Sequence, residues 1–172
     1  MIRALSFLLL LPAFAAAEPV RITDSRGPET LPSPPGRVVA LSWSLVEQVL
    51  ALGVEPVAIA DPEGYRRWVA RPELPQGVVG VGLRQEPNHE RIAELEPDVI
   101  LASDEQIAFA DALSRIAPVV HFDAFAADHD NAAAADRIFR EVAALLGRAD
   151  RAEAALAARD RLIAELRDRL AE

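Results

Sequence analysis

Short runs of consecutive apolar residues alternate with helical patterns along the middle of the chain. Apolar runs of about four residues, bounded by turn-forming residues, are typical of strands that are buried on both faces, as in a parallel sheet. We predict such strands at 38–41, 57–60, 78–81, 99–102 and 119–122. Segments with the helical period lie between them, at 45–52, 90–95 and 108–116. The alternation predicts an α/β fold whose strands are joined by right-handed crossovers.

Polar residues mark where these helices begin. Ser44 is followed three residues later by Glu47, which predicts a capping box. Ser103 and Gln106 repeat this spacing and predict a second, weaker one. Asn88 precedes an acidic first turn and is predicted to cap a third helix.

The last part of the chain, residues 131–172, is rich in alanine, arginine and acidic residues. An apolar stripe predicts one helix that ends at Gly147 and a second helix that begins near Asp150. No capping or turn residue follows Leu170. We therefore expect the second helix to be cut within a longer architecture.

The first 17 residues have the pattern of a cleaved secretory signal peptide. Arg3 precedes a short apolar run, and the alanines at 15–17 provide small residues for cleavage. The mature chain is expected to begin near Glu18 with a polar, proline-rich lead over 18–36. No later segment has the roughly 20 apolar residues that a membrane span needs, so stable membrane insertion is not expected.

Charge and composition narrow the possible functions. The formal net charge is −9 at pH 7, and there is no cysteine. An acidic surface disfavours nucleic acid and anionic lipid as partners, because both bind clustered lysine and arginine. The sequence contains no dinucleotide-binding, phosphate-loop or nucleophile-elbow motif and no evident catalytic triad, so enzyme activity is not expected.

Four runs of sequence carry a family resemblance. They are RVVALSWSLVEQVLALGVEPVAIAD (37–61), YRRWV (65–69), VGLRQEPNHERIAELEPDVIL (81–101) and LSRIAPVV (113–120). Together they resemble the N-terminal lobe of the periplasmic binding proteins of iron-siderophore ABC importers, and within that family the ferric hydroxamate binders most.

The resemblance implies a class III architecture, in which one long helix links two α/β lobes and the ligand lies in a shallow cleft between them. Residues 37–130 would form the Rossmann-like N-terminal lobe, and 131–172 would include the start of the connecting helix, with the C-terminal lobe absent. The implied protein resides in the periplasm, carries no cofactor, binds a ferric siderophore and delivers it to an inner-membrane ABC permease. With one lobe, we expect the ligand to bind weakly or not at all, since both lobes normally contribute contacts.

Arg84 is the first candidate for ligand binding. A ferric trihydroxamate has no net charge, yet its coordinating oxygens keep partial negative charge, and a planar guanidinium can donate two parallel hydrogen bonds to them. The resemblance places the family's ligand-binding arginine at this VGLR position. The alternative is a solvated arginine or a partner for Glu86.

Three aromatic residues are further candidates. Trp68 matches a tryptophan of the family and is expected in a loop after the second strand, as a wall of the ligand site or as a lid over the sheet end. Tyr65 is a weaker candidate. Trp43 follows the first strand at the carboxyl edge, where ligands collect in open α/β sheets, but core packing suits it as well.

The sequence departs from the hydroxamate binders after the fourth strand. Those proteins have a tyrosine where this chain has Gln106, preceded by Ser103. Gln106 could donate to a ligand through its amide or could complete the Ser103 cap. A catecholate, citrate-type, cobalamin or haem ligand therefore remains an alternative.

The resemblance also implies a carboxylate on this lobe that docks to the permease. Asp111 lies at the expected position, shortened from the usual glutamate, and an ordinary solvated role is the alternative. Glu47 is a second candidate, although its predicted capping role already accounts for it.

Two other functions are kept as alternatives. The run HFDAFAADHD could hold a free divalent metal, but its ligands lack the fixed spacing that organises a site. Its candidate ligands are His121, Asp123, Asp128, His129 and Asp130. An interaction module could instead pair with another chain through the apolar stripe of the terminal helix, at Leu156, Ile163 and Leu170.

Overall fold

The computed structural model describes residues 18–123, 125 and 130–171. The predicted signal peptide and two of the candidate metal ligands, Asp128 and His129, lie outside the described residues. In the part of the chain that is described, no helix is both long enough and apolar enough to cross a membrane.

A five-stranded parallel sheet forms the centre of the protein, with the strand order β5-β4-β3-β6-β7. Its strands are β3 (Val38–Ala40), β4 (Ala58–Ile59), β5 (Val79–Gly80), β6 (Val99–Ala102) and β7 (Val119–His121). All five predicted strands are present, and the α/β fold is confirmed. Each residue of β3 and β6 is at most 2% exposed, which explains why both strands are apolar at every position.

Helices cover both faces of this sheet. They are α1 (Trp43–Ala51), α2 (Pro62–Trp68), α3 (His89–Glu94), α4 (Ala110–Leu113), α5 (Asn131–Leu145) and α6 (Ala149–Ala171), with a 3-10 helix at Asp104–Phe109 before α4. Side chains from α1, α5 and the start of α6 pack on one face. Side chains from α3 and α4 pack on the other. The helix predicted at 108–116 is therefore replaced by a 3-10 helix and one short α-helical turn.

The first predicted helix start is wrong. The helix α1 begins at Trp43, with Ser42 as its N-cap residue. The hydroxyl of Ser44 lies 3.0 Å from the hydroxyl of Ser42 and makes no capping bond, so Glu47 does not complete a capping box. The start comes early because β3 ends at Ala40 and only two residues join it to the helix.

The predicted N-terminal lead contains a β-hairpin that sequence reasoning missed. Strands β1 (Val20–Asp24) and β2 (Gly27–Leu31) pair antiparallel, and the hairpin packs against α5. The buried carboxylate of Asp24 accepts hydrogen bonds from the backbone of Gly27 and of His121, which ties the hairpin to the end of β7. The alternation of apolar Val20 and Ile22 with polar neighbours was the available signal.

The last two helices form an antiparallel pair around Gly147, which adopts the left-handed conformation expected of a helix stop. Two ion pairs join them, Arg140 with Glu153 and Arg159 with Asp136. The second half of α6 leaves this contact, and its apolar residues are exposed. These are Leu162, Ile163, Leu166 and Leu170.

The ion pairs between α5 and α6 make the folding stability depend on pH. Hydrogen bonding to Arg159 lowers the pKa of Asp136, so the unfolded chain binds more protons than the folded one between that lowered value and about pH 4. This contribution to stability is present above that pH range and is lost as the pH falls through it.

We expect urea unfolding midpoints to fall on acidification and to fall less in Asp136→Asn. Glu165→Gln on the exposed half of α6 is the control, and equal acid sensitivity of all three proteins would contradict the expectation.

Candidate functional site

An open hollow lies where the direction of winding of the sheet reverses, between β3 and β6. From β3 the chain proceeds outward to β4 and β5, and then crosses to β6 and β7 on the other side. The loops that follow β3 and β6 therefore separate at their carboxyl ends, which is where open α/β sheets bind ligands. The hollow has a volume of about 350 Å³. It is lined by Ser42, Trp43, Ser44, Arg84, Ser103, Asp104, Glu105 and Phe125.

Arg84 reaches this hollow from the loop after β5. The central carbon of its guanidinium lies 4.1 Å from the centre of the Trp43 ring, a cation–π contact. One terminal nitrogen, Nη1, lies 3.1 Å from the Oε2 atom of Glu105. The Nε atom is buried and has no hydrogen-bond partner among the described residues. Held by the ring on one side and by a single carboxylate, the guanidinium has donor capacity left for a ligand.

Trp43 forms the wall behind that guanidinium. As the first residue of α1 it is half-buried, and its Nε1 atom donates a hydrogen bond of 3.3 Å to the carbonyl of Ala60. Its ring meets the ring of Tyr65 edge-on, with the centres 6.5 Å apart. The ring position is therefore fixed by β4 on one side and by α2 on the other.

Gly64 in α2 sets how closely that helix approaches Trp43. A Cβ atom at this position would lie 2.6 Å from the Cζ2 atom of Trp43 and 2.2 Å from the Oδ2 atom of Asp61. Asp61 caps α2 by accepting from the Gly64 amide, so its side chain cannot move away without losing the cap. Only a residue without a side chain fits here.

We expect Gly64→Ala to displace the Trp43 ring and to destabilise the fold by about 1–3 kcal/mol, as overpacking does. The measurement is the near-ultraviolet circular dichroism of the ring together with the free energy of unfolding. Gly36→Ala is the matched control, because a Cβ there meets its nearest neighbour at an ordinary 3.5 Å. An unchanged tryptophan signal in Gly64→Ala would contradict the expectation.

The structure separates the other two aromatic candidates from the hollow. Tyr65 has no exposed surface, and its hydroxyl donates to the carbonyl of Pro72 at 2.9 Å, so it supports the fold and offers no surface to a ligand. Burial, followed by the charge of Glu47, raises the pKa of Tyr65 to about 12. Trp68 ends α2 rather than lying in a loop, is 76% exposed and does not line the hollow. The indole that the structure places beside Arg84 is that of Trp43.

Gln106 is fully buried and both ends of its amide are occupied. Its Nε2 atom donates to the carbonyl of Arg84 at 2.8 Å, and its Oε1 atom accepts from the amide and the hydroxyl of Ser103. The predicted Ser103 capping box is confirmed. Because Gln106 has no exposed surface, it offers nothing to a ligand in this conformation, and it instead links the Arg84 loop to the loop after β6.

Two acidic side chains in the hollow, Asp104 and Glu105, were not among the predicted site residues. Asp104 lies 2.8 Å from the Nε2 atom of the buried His121. Burial and a hydrogen bond with Asp123 raise the pKa of Asp104, and His121 opposes them. The signal that could have found both residues is their position directly after the carboxyl end of β6, beside Ser103.

The remaining predicted residues lie away from the hollow. Asp111 is exposed on α4, as a docking residue would need to be. Glu47 is half-buried on α1, and burial raises its pKa. Across residues 18–123, 125 and 130–171, no group of three or more acidic or histidine side chains is arranged to hold a metal ion. Asp130, one of the candidate metal ligands, caps α5 by accepting from the amides of Ala132 and Ala133.

The comparisons with known proteins identify the class to which this lobe belongs. The family model described as periplasmic binding protein matches residues 38–172. The chain therefore belongs to the periplasmic binding protein family.

Individual relatives lie within the iron-siderophore binding proteins. The Iron(3+)-hydroxamate-binding protein FhuD of Escherichia coli (strain K12) is 39% identical over 135 residues, which cover 78% of this chain and 45% of that protein. The ferric enterobactin-binding protein FepB of Escherichia coli O6:H1 is 36% identical over 137 residues, covering 67% of this chain and 42% of that protein.

Solved structures of binding proteins are similar to this chain as well. FhuD from Vibrio cholerae, in complex with Fe3+–Desferal, superposes with a TM-score of 0.76 at 42% identity, covering 78% of this chain and 50% of that one. The substrate-binding protein PiuA from Streptococcus pneumoniae has a TM-score of 0.70 at 27% identity. The predicted resemblance and the Rossmann-like class III lobe are thus confirmed. The chain spans about half the length of the relatives that it matches.

Proposed function

We propose that this protein is the periplasmic solute-binding component of an ABC importer, and that it binds an iron(III) hydroxamate siderophore for delivery to a membrane permease. The observation that carries the proposal is the guanidinium of Arg84, stacked on Trp43 with unused donors, in a hollow at the carboxyl edge of the sheet. The similarity to hydroxamate-binding relatives supports the same ligand class. The role is binding rather than catalysis.

The chemistry of the hollow suits such a ligand. Three hydroxamates cancel the charge of ferric iron but leave partial negative charge on the coordinating oxygens, which a guanidinium can bind through parallel N–H donors. The carbon skeleton around the iron needs apolar contact, which the rings of Trp43 and the exposed Phe125 provide. The Ser42 and Ser103 hydroxyls at the rim add polar contacts.

Delivery to a permease needs an accessible contact surface. The exposed carboxylate of Asp111 on α4 is suited to pair with a basic side chain of a membrane partner. Glu47 is less suited, because it is half-buried and its pKa is raised by burial, so the charged form is disfavoured. The predicted signal peptide at 1–17 supports a periplasmic location.

A titration of the purified chain tests the ligand class. The Fe3+–Desferal complex, a linear ferric trihydroxamate, is added while tryptophan fluorescence is followed, because the coloured iron complex quenches a nearby indole. We expect saturable quenching, with iron-free Desferal as the control. A chain that binds ferric citrate or a ferric tricatecholate but no ferric trihydroxamate would overturn the hydroxamate assignment. Because a single lobe makes fewer contacts, the titration extends to about 1 mM complex, and no saturable quenching by any of the three complexes at that concentration would overturn ligand binding by this lobe on its own.

A further inference from the structure

We propose that Asp104 and Glu105 select the ligand by charge, so that the hollow prefers ferric chelates that carry a positively charged arm and rejects anionic ones. This inference rests on the proposed function and concerns the same hollow. It assigns a specificity role to two residues that line the hollow beside Arg84.

The charges of the lining residues do not cancel. Among the described residues that line the hollow, Arg84 is the cation and Asp104 and Glu105 are the two acids. Glu105 already pairs with the guanidinium at 3.1 Å, so Arg84 offers no net positive charge to an incoming ligand. Asp104 is left as an additional carboxylate, with half of its side-chain surface (53%) exposed.

Two side chains contact Asp104 from the side away from the hollow. The Nε2 atom of His121 lies 2.8 Å from the Asp104 carboxylate, and its Nδ1 atom is buried without a partner among the described residues. A hydrogen bond with Asp123 acts on the same carboxylate. The far side of Asp104 is therefore occupied by an imidazole and a second acid, and its near side lines the hollow.

Ferric chelates differ in the charge that they bring to this surface. Three hydroxamates supply one negative charge each and cancel the three charges of iron, whereas three catecholates supply two each and leave three negative charges on the complex. An anionic chelate meets an arginine that is already paired with Glu105 and a second, half-exposed carboxylate, and like charges at short range are unfavourable. A neutral chelate with an ammonium arm meets an attractive carboxylate instead.

Ligand binding at Arg84 also changes the partner of Glu105. When the oxygens of the chelate accept hydrogen bonds from the guanidinium, Glu105 is displaced from Nη1. Its side chain is 40% exposed and has room to turn toward an ammonium group. The two carboxylates then flank one cationic arm, and the pairing lost at Arg84 is replaced on the ligand.

The test uses three ferric trihydroxamates of the same backbone that differ only at one terminus. They are the Desferal complex with its free ammonium, its N-acetyl derivative, which is neutral, and its N-succinyl derivative, which is anionic. In the wild-type chain we expect affinity to fall in that order by about three- to fivefold at each step, as for partly exposed ion pairs. In the double variant Asp104→Asn with Glu105→Gln, we expect the three affinities to agree within about twofold.

Glu55→Gln is the matched control, because it removes one exposed carboxylate outside the hollow. It is expected to keep the wild-type order of affinities.

If the double variant does not fold, the single variant Glu105→Gln is used. The salt dependence of the wild type gives an independent measurement. Raising the salt from about 0.05 M to about 0.5 M shortens the screening length and should reduce the advantage of the ammonium ligand.

The outcomes separate the two proposals. Equal affinities in the wild type, or an unchanged order in the variants, would overturn the charge selection and leave the hydroxamate function in place. Absence of saturable binding for all three complexes would overturn the proposed function and this inference with it.

Discussion

Replacing Arg84 with alanine is expected to weaken the binding of a ferric trihydroxamate by about tenfold to a hundredfold. The guanidinium lies over the Trp43 ring and donates to described side chains through Nη1, so its other terminal nitrogen can serve a ligand, and the variant removes charge-assisted hydrogen bonds, each worth about 1.5–3 kcal/mol. We expect no more than a hundredfold loss of affinity, because the wild-type guanidinium gives up its pairing with Glu105 when it binds the ligand. The measurement is the fluorescence titration with the Desferal complex.

Arg84→Lys separates geometry from charge. Lysine keeps the positive charge but lacks the planar fork and the stacking surface, so we expect an affinity between those of the wild type and the alanine variant. Arg91→Ala is the control, because Arg91 pairs with Glu94 on the exposed side of α3 and does not line the hollow. If Arg84→Ala binds as tightly as Arg91→Ala, the guanidinium does not contact the ligand.

Replacing Gln106 with leucine should cost about 2–4 kcal/mol of folding free energy and should also weaken ligand binding by the molecules that remain folded. The buried amide satisfies the carbonyl of Arg84 on one side and the amide of Ser103 on the other. A buried polar group left without its partner costs about 1–3 kcal/mol, and leucine leaves two such groups. Urea unfolding and the ligand titration measure the two effects separately.

Gln106→Glu distinguishes a positioning role from general support of the core. At neutral pH the new carboxylate keeps the bonds from Ser103 but places an acceptor against the Arg84 carbonyl. Protonation restores a donor, and burial raises the pKa of such a carboxylate, so the stability and the affinity of this variant should recover toward wild type as the pH falls through that raised pKa. Leu113→Ala serves as the control, since Leu113 is fully buried and does not line the hollow, and its truncation lowers stability by about 2–5 kcal/mol through a cavity. Loss of affinity in Leu113→Ala, or no recovery of Gln106→Glu in acid, would contradict the positioning role.

Most of the sheet was predictable because β3, β4, β6 and β7 are buried on both faces. Such strands need apolar side chains at every position, and a continuous run such as 99–102 has few other interpretations. The hairpin of β1 and β2 is different. Each strand has one solvated face, so its apolar residues alternate over only a few positions, and the prolines that follow in the sequence favour an irregular lead.

The candidate site was only partly predictable. The position of Arg84 at a glycine-containing turn after an apolar strand indicated a residue that faces the carboxyl edge. Which indole lies beside Arg84 depended on α2. The N-cap residue of this helix, Asp61, adopts a left-handed backbone conformation that few non-glycine residues adopt. That helix buries Tyr65, leaves Trp68 exposed at its end and leaves Trp43 as the wall.

Gln106 illustrates a limit of reasoning by position. The resemblance matched it to a residue that contacts ligand, and the spacing from Ser103 matched it to a cap. The shape of a glutamine allows both ends of the amide to bond at once, and the structure uses them for the cap and for the Arg84 carbonyl. Sequence spacing could identify the first bond but not the second, which spans 22 residues.

The absence of a side chain at Gly64 has a consequence for how binding preferences diverge among related proteins. The room left there determines where the Trp43 ring lies, although the glycine itself does not line the hollow. A methyl group added at Gly64 would displace the Trp43 ring and so change the shape of the hollow. The shape of the hollow can therefore be altered at a position that does not itself line it.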